Sequence, residues 1–368
     1  MTNTIQDLDS PNAIIGYWNN DPKNQNNPML SKQLFDTEYQ PGDTITAYFG
    51  SDQPDEGLTE VAYDTNVSYK GNVGFKTDSY NMMKFKNAKL MNEERRARIQ
   101  QVLYNNPNSG AATSIGQTQL RDAATLLRDA YYNRELMALQ ALQTGKIVSS
   151  KTGIRDFHVP EEHIIQVKTP WGNKDSSAIQ DINDGIKKMR NDNATSISYA
   201  LMNSNTFESL SKSGDLLQSI GVGKVSSNFA IPASTVSNQF SQLTGLTILT
   251  YDTSNLLADD TVILLPSGSL GRMGWGDTPE SMGNLDGQSG AQVSRTADGI
   301  TLVTYRQIDP VGTNVKVSDK SLPSLDKSQN IYIMHVGESD SKPSNNSNSG
   351  SNGSTSGSGS NSGKDSGK

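Results

Sequence analysis

Three histidines and no cysteine narrow the chemistry open to this 368-residue chain. Without cysteine there is no thiolate metal site, thiol nucleophile or disulfide, which fits a reducing cytosol. His158 and His163 stand five apart beside Asp156, Glu161 and Glu162. A metal site is one reading, but the spacing matches neither an i, i+4 pair nor a zinc motif. Pro160 also breaks any helix there, so a structural or solvated role fits better. Asp181 to Gly185 mimics a calcium loop with its glycine one place early, and Ile186 and Met189 continue a helix through it. Gly145-Lys146 and Gly223-Lys224 hint at a phosphate loop, yet Gln140 and Gln218 stand where its first glycine belongs. No hydroxyl residue follows either lysine to meet magnesium. Gly221-Val222-Gly223 reaches Ser226 where a dinucleotide fingerprint needs glycine or alanine. Gly268-Ser269-Leu270-Gly271 lacks the spacing of a nucleophile elbow. The adjacent acids Asp259-Asp260 and Glu161-Glu162 generally point apart, whereas hydrolytic carboxylates face each other across a bond. Trp171, Trp275 and the glycines of 268–276 read as core or loop packing. We expect no catalytic residues, no cofactor and no metal.

The charge is more informative. The net charge is −7, but residues 1–69 carry eleven acids against Lys23 and Lys32, and the remainder is close to neutral. Residues 33–69 have no Lys or Arg and include Asp52, Asp55, Glu56, Glu60 and Asp64. Residues 70–98 reverse the sign with Lys70, Lys76, Lys84, Lys86, Lys89, Arg95, Arg96 and Arg98. Solvated faces are the ordinary meaning of such runs. A contact in which the acidic stretch of one copy meets the basic stretch of another is the sharper one, because complementary charge sets register and partner choice. An acidic chain with a near-neutral body is a poor specific binder of nucleic acid. No run approaches the ~20 apolar residues of a membrane span, and the acidic start MTNTIQDLDSPN is unlike a signal peptide.

These residues need elements to position them. Ser114 with Gln117 has capping-box spacing, and 118–143 runs without Gly or Pro to Gly145. Leu120, Ala124, Leu127, Tyr131, Ala138 and Leu142 form one apolar stripe along that stretch. Its 26 residues predict a helix of about 39 Å. Residues 1–43 show no sustained period. Strand-like runs follow at 44–50, 61–69 and 80–91. We expect these N-terminal stretches to be an arm and a long hairpin that wrap other subunits, because long structureless segments pack poorly on their own chain. Beyond the helix, strands are expected at 146–149 and 163–168 and an amphipathic helix at 176–191. Strand and helix then alternate through 197–202, 205–212, 215–220, 235–243, 246–251 and 261–265, and strands are expected at 300–308, 313–318 and 330–336. The mixture indicates an α/β or α+β domain. Residues 341–368 hold 11 Ser, 6 Gly and 5 Asn, a composition that cannot bury enough surface to fold.

Particular residues carry a family resemblance. Arg134-Glu135 through Gly145-Lys146-Ile147 resembles the helix end of lambda-type tailed-phage major capsid proteins, the E family. Tyr199 to Phe207, Val262 to Pro266 with Leu270-Gly271, Trp275 to Glu280, and Leu322-Pro323 leading to Asn330–Met334 follow in the same order. The resemblance covers about 95–337. It implies an α+β Hong Kong 97-like capsid fold: an N-terminal arm (1–43), an E-loop hairpin (44–92), a spine helix with a peripheral domain (93–194 and 293–337) and an axial domain (195–292); the disordered tail (338–368) is expected from composition and has no match in the family. It further implies hexamers and pentamers in an icosahedral shell around double-stranded DNA, assembled in the bacterial cytoplasm. Scaffold, portal and decoration proteins would be partners, with only non-specific contact to DNA. Some relatives crosslink Lys to Asn; no such pair is matched here. Other readings are an encapsulin-type nanocompartment, a surface binding protein on a flexible linker, and an α/β enzyme with an unseen carboxylate site.

Overall fold

The Gly110–Thr144 helix is 35 residues long, about 52 Å at the usual rise. Ala124, Leu127, Tyr131, Ala138 and Leu142 are buried along it, as the stripe requires, and Leu120 is partly buried. Its start differs from expectation. The helix is already formed at Gly110, so Ser114 and Gln117 lie inside it rather than at its N-terminus. Gly116, inside the first turns, costs about 1 kcal/mol of helix propensity. Gly145 ends the helix at φ +67°; a β-carbon there would sit 2.9 Å from Val159, so glycine is required twice over.

This computed structural model describes residues 10–22, 29–49, 76–105, 110–192, 196–221, 231–283, 291–309 and 311–338. The expected strand at 61–69 and the tail from 341 lie outside them. Met1–Gly337 group as one unit and Glu338–Lys368 as a second.

Two sheets flank the long helix. In the first, β14 (Gly312–Ser324) is the central strand. One edge pairs along nine residues with β4 (Met83–Met91). The other edge pairs first with β13 (Thr301–Gln307) and then with β11 (Gly271–Trp275). This change of neighbour is why β14 runs well past the expected 313–318. Strand β12 (Gln292–Arg295) extends the sheet beyond β13, and β1 (Phe35–Tyr39) pairs parallel with β11. Val315 and Val317 of β14, with Ile300 and Leu302, pack on Ala123, Leu127 and Tyr131 of the helix.

The second sheet has the order β7 (Ile164–Gln166), β15 (Tyr332–His335), β10 (Thr261–Pro266), β8 (Ile197–Met202), β9 (Thr247–Thr250). β10 is buried throughout. Its Ile263 and Leu265 join the core formed with Met137–Leu142 of the long helix. Val262 and Leu264 point the other way, into a core with Ile182 and Met189 of helix Ala178–Asn191 and Val236 and Phe240 of helix Ala233–Thr244. That is the period-two alternation of a strand covered on both faces. Both sheets draw strands from distant parts of the chain: β11 lies in the first, while β7 and β15 lie in the second.

The expectation that residues 1–43 pack poorly on their own chain needs correcting. Instead Ser10 caps a Pro11–Asn20 helix by accepting from the Ala13 amide at 3.3 Å, and Ile14 and Trp18 are buried against the long helix. Trp18 stacks on Tyr131 with ring centroids 5.4 Å apart. A second short helix, Leu30–Leu34, leads into β1. β2 (Thr44–Phe49) pairs antiparallel with β3 (Lys76–Asn81), whereas the strand-like run expected at 80–91 is divided at Met82 and most of it is β4 of the first sheet. A Glu93–Asn105 helix went unread in the sequence, although Glu93 and Glu94 in its first turn suit a helix N-terminus.

Candidate assembly site

The residues that could do chemistry do not converge. His158 Nε2 lies 2.6 Å from Asp78, while His163 Nε2 lies 2.9 Å from Asp192. Asp181 accepts from the Trp171 indole at 3.0 Å, and burial raises its pKa above the usual carboxylate value. Asp259 accepts amide hydrogens from Asn203 and Asn205, and Glu162 pairs with Lys188. Among the described residues no group of three His, Asp or Glu could hold a metal, and no helix is long and apolar enough to cross a membrane.

What does converge is a polar junction inside the molecule. Arg134 and Glu135 are adjacent on the long helix and both buried. Arg134 donates from Nη2 to Asp319 Oδ1 at 2.6 Å and from Nε to Oδ2 at 3.0 Å. A further bond from Nη2 reaches the Asp298 carbonyl at 3.0 Å. Burial disfavours the guanidinium charge, but Asp319 overrides it and raises the pKa. Asp298 also accepts from Lys32 and from the Tyr131 hydroxyl, both at 2.8 Å. Burial raises its pKa, but Lys32 and Tyr131 outweigh that and hold it below the usual range. Glu135 accepts from the amides of Leu30 and Ser31 at 2.8 and 2.9 Å, the first turn of helix Leu30–Leu34. It also accepts from the Tyr251 hydroxyl at 2.6 Å; burial and this bond together raise the Tyr251 pKa. Two consecutive residues thus tie the long helix to β14, to the N-terminal segment and to the residue after β9. Sequence reasoning marked Arg134-Glu135 through the resemblance, but Asp319, Asp298 and Tyr251 carried no local signal.

The base of the β2–β3 hairpin is also held on its own chain. Ile45 and Ala47 are buried, Arg272 Nη2 donates to the Thr46 carbonyl at 2.8 Å, and Tyr80 packs edge-on against Phe157. Burial, with help from Asp78, pushes the Tyr80 hydroxyl up to about 12.

The charged residues expected at a subunit contact fall in several places. Lys84 lies 3.5 Å from Asp43, and Lys86 lies 2.6 Å from Glu280. Lys89 turns to the long helix, donating to Thr125 Oγ1 and, at 3.0 Å, to the Asp122 carbonyl. Arg98 pairs with Glu94 one turn away at 2.5 Å. Arg95 and Arg96 lie on helix Glu93–Asn105 with side chains outside the described set, as are Asp52, Asp55, Glu56, Glu60 and Asp64.

Glu280 is buried and accepts from both Lys86 and Lys316 at 2.6 Å. Burial alone would raise its pKa, but the two ammonium groups outweigh that and hold it at about 2. A depressed carboxylate contributes stability above its unfolded pKa and loses it as pH falls toward the folded value. The stability difference between wild type and a Glu280→Gln chain, followed by thermal melts, should therefore be constant above pH ~5 and shrink from there to pH ~2. A difference that stays level across that window would contradict the assignment.

Comparison with known proteins places these features. The model of the family described as phage major capsid protein E matches residues 10–331. Among solved structures, the fold is similar to a putative capsid protein of an Escherichia coli CFT073 prophage, with TM-score 0.53 and 14% identity, covering 89% of this chain and 99% of that one. A phage-related protein from Bordetella bronchiseptica gives TM-score 0.51 and 13% identity, over 89% and 97% of the two chains. The capsid of cyanophage A-1(L) gives TM-score 0.50 and 11% identity, over 84% and 92%. No curated protein sequence matches. The fold is thus α+β and Hong Kong 97-like, as the resemblance implied. The matched family is one of structural, non-enzymatic capsid proteins. The chain belongs to the phage major capsid protein E family, whose members build the virion head.

Proposed function

We propose that copies of this chain join as hexamers and pentamers into an icosahedral shell enclosing the double-stranded DNA of a tailed phage. The observation that carries this is the family match across residues 10–331. The N-terminal arm, spine helix and peripheral domain, and axial domain take the boundaries given above, at 43, 92, 194, 292 and 337. The hairpin from residue 44 reaches a neighbour through the segment that joins its strands, and the acidic stretch Asp52–Asp64 meets the basic stretch Lys84–Arg98. The near-neutral body suits a container, because a strongly basic lining would hold passing DNA. Assembly takes place in the bacterial cytoplasm, with scaffold, portal and decoration proteins as partners, and the Ser/Gly/Asn tail lies on the outer surface.

Electron microscopy and sedimentation of the purified chain test this reading. Closed shells or capsomer rings are expected; a stable monomer at micromolar concentration overturns it. Protease treatment of intact particles should trim the tail from 338 onward, and full-length protein surviving that treatment overturns its placement.

A further inference from the structure

Three cations from three strands grip the base of the β2–β3 hairpin. Arg272 on β11 donates from Nη2 to the Thr46 carbonyl at 2.8 Å, and its Nη1 and Nε are taken by Glu38 at 3.0 Å and Asp326 at 2.8 Å. Lys320 on β14 donates to the Gly42 carbonyl and, at 3.3 Å, to the Asp277 carbonyl, with Asp43 at 2.5 Å. The third cation comes from a separate two-stranded hairpin, β5 (Lys146–Ser149) with β6 (Gly153–Asp156). There Arg155 donates from Nη2 and Nε to the Asn81 carbonyl at 2.8 and 3.2 Å. Gly42 precedes β2, Thr46 lies within it and Asn81 ends β3. Both strands are therefore held, and a body fixed at three separated points does not swing.

Two of these cations are poor choices for stability alone. Arg155 is 3% exposed, its Nη1 has no acceptor, and no carboxylate pairs with it among the described residues. Burial lowers its pKa. A buried charge without a partner costs stability, while Asn81 is an exposed residue whose carbonyl water can serve. Lys320 is enclosed and stands directly opposite Lys84 on β4, where like charges repel. Local rules of folding are broken mostly at functional places. The floor beneath is shaped for the same fit. A β-carbon on Gly274 would lie 2.5 Å from Ile45, and one on Gly276 would lie 2.8 Å from Met82 and 3.1 Å from the Gly42 carbonyl. Ile45 and Met82 are buried, and the Met82 amide closes the base by donating to the Asp43 carbonyl at 2.8 Å.

We propose that Arg155, Arg272 and Lys320 are positioning residues: they fix the direction in which the hairpin leaves the body within a single subunit, before any neighbour is met, and so hold every copy to one shell curvature. The proposal rests on the shell-forming reading above and concerns the base of the hairpin, not what its far end meets. Copies that carry the hairpin at one angle meet their neighbours at one angle, and the rotation then closes at one size. A hairpin loose at its base admits several angles, hence shells of mixed size or open sheets.

The chain has no cysteine, so two can be introduced for nitroxide labels. Thr77→Cys places one on the far part of β3, and Gln180→Cys places the other on helix Ala178–Asn191; both positions are exposed. Pulsed electron spin resonance on the dissociated subunit then reads the spread of hairpin directions. The labelled chain with no other change should give one narrow distance peak. Adding Arg155→Met and Lys320→Met should widen it about twofold or more, while melting stays close to wild type because an unpaired buried charge has gone. By electron microscopy, unlabelled particles of that variant should vary in diameter where wild type gives a single size. A merely structural role predicts the reverse, early melting with an unchanged peak, and that result overturns the proposal. So does a wild-type peak as broad as the variant's, or a widened peak with shells of the one wild-type diameter. If the double variant melts too early to label, Gly276→Ala replaces it. Its methyl presses on Met82 and the Gly42 carbonyl and should shift the peak; an unmoved peak is fatal. A wild type that forms no shell rejects the shell-forming reading instead, and the resonance measurement still decides whether the hairpin is fixed.

Discussion

An Arg134→Ala chain should lose about 3–5 kcal/mol of folding stability, the usual cost of breaking a buried ion pair from one side. The cause lies mainly in what is left behind. Asp319 is buried in the first sheet and receives two hydrogen bonds from the guanidinium; only the Ser321 hydroxyl, at 2.8 Å, remains to serve it among the contacts described above. The Asp298 carbonyl loses a donor as well. Denaturant unfolding of the dissociated subunit measures the effect. The partner experiment is an Arg134→Met, Asp319→Leu chain, which removes both charges and fills similar volume. Such replacements of buried pairs are often neutral or stabilising, so this chain should recover most of the loss. If it is as unstable as the single variant, the role of the pair is geometric rather than electrostatic. Lysine is not expected to replace Arg134, because one ammonium cannot reproduce a two-pronged contact.

Glu135→Ala should cost at least about 3 kcal/mol, since each buried donor left without an acceptor costs roughly 1–3 kcal/mol and three lose theirs together. The three are the Leu30 and Ser31 amides and the Tyr251 hydroxyl. The distribution of the damage should differ from that at Arg134. Glu135 anchors the first turn of a five-residue helix too short to persist by itself. Limited proteolysis of the folded variant should therefore cut within residues 1–34 well before the rest of the chain. Uniform resistance to protease, equal to wild type, would show that packing of Leu30 and Leu34 suffices without the carboxylate. Glu135→Gln is expected to fall between the two, because a neutral amide keeps one acceptor but presents a donor where another acceptor is needed.

The long helix and most strands after it were legible because burial writes a period into the sequence. Ile263 and Leu265 alternate with Val262 and Leu264 whichever protein they stand in, and the stripe from Ala124 to Leu142 marks the face that must be covered. The Pro11–Asn20 helix was overlooked although its signals were present: Ser10 before Pro11, then Ile14 and Trp18 one turn apart. Ten residues with two core contacts make a weak pattern beside so many asparagines. β1 and β11 were harder. Each is short and pairs with a strand far away in the chain, as Phe35 does with Gly271, so no local window contains the reason for it.

Charge followed the same division. By itself the sequence determined the long helix and most strands after it, that no metal or thiol chemistry is supported by its motifs, and that an acidic stretch precedes a basic one. These depend on residue type and spacing, which are local. Only the tertiary structure decided what each charge faces: Arg134 and Glu135 in the interior, Lys89 on the long helix, and Lys84 and Lys86 beside Lys320 and Lys316. The physical reason is that a strand's two faces differ in what covers them, and the cover comes from other parts of the chain: 185 residues separate Arg134 from Asp319, and 194 separate Lys86 from Glu280.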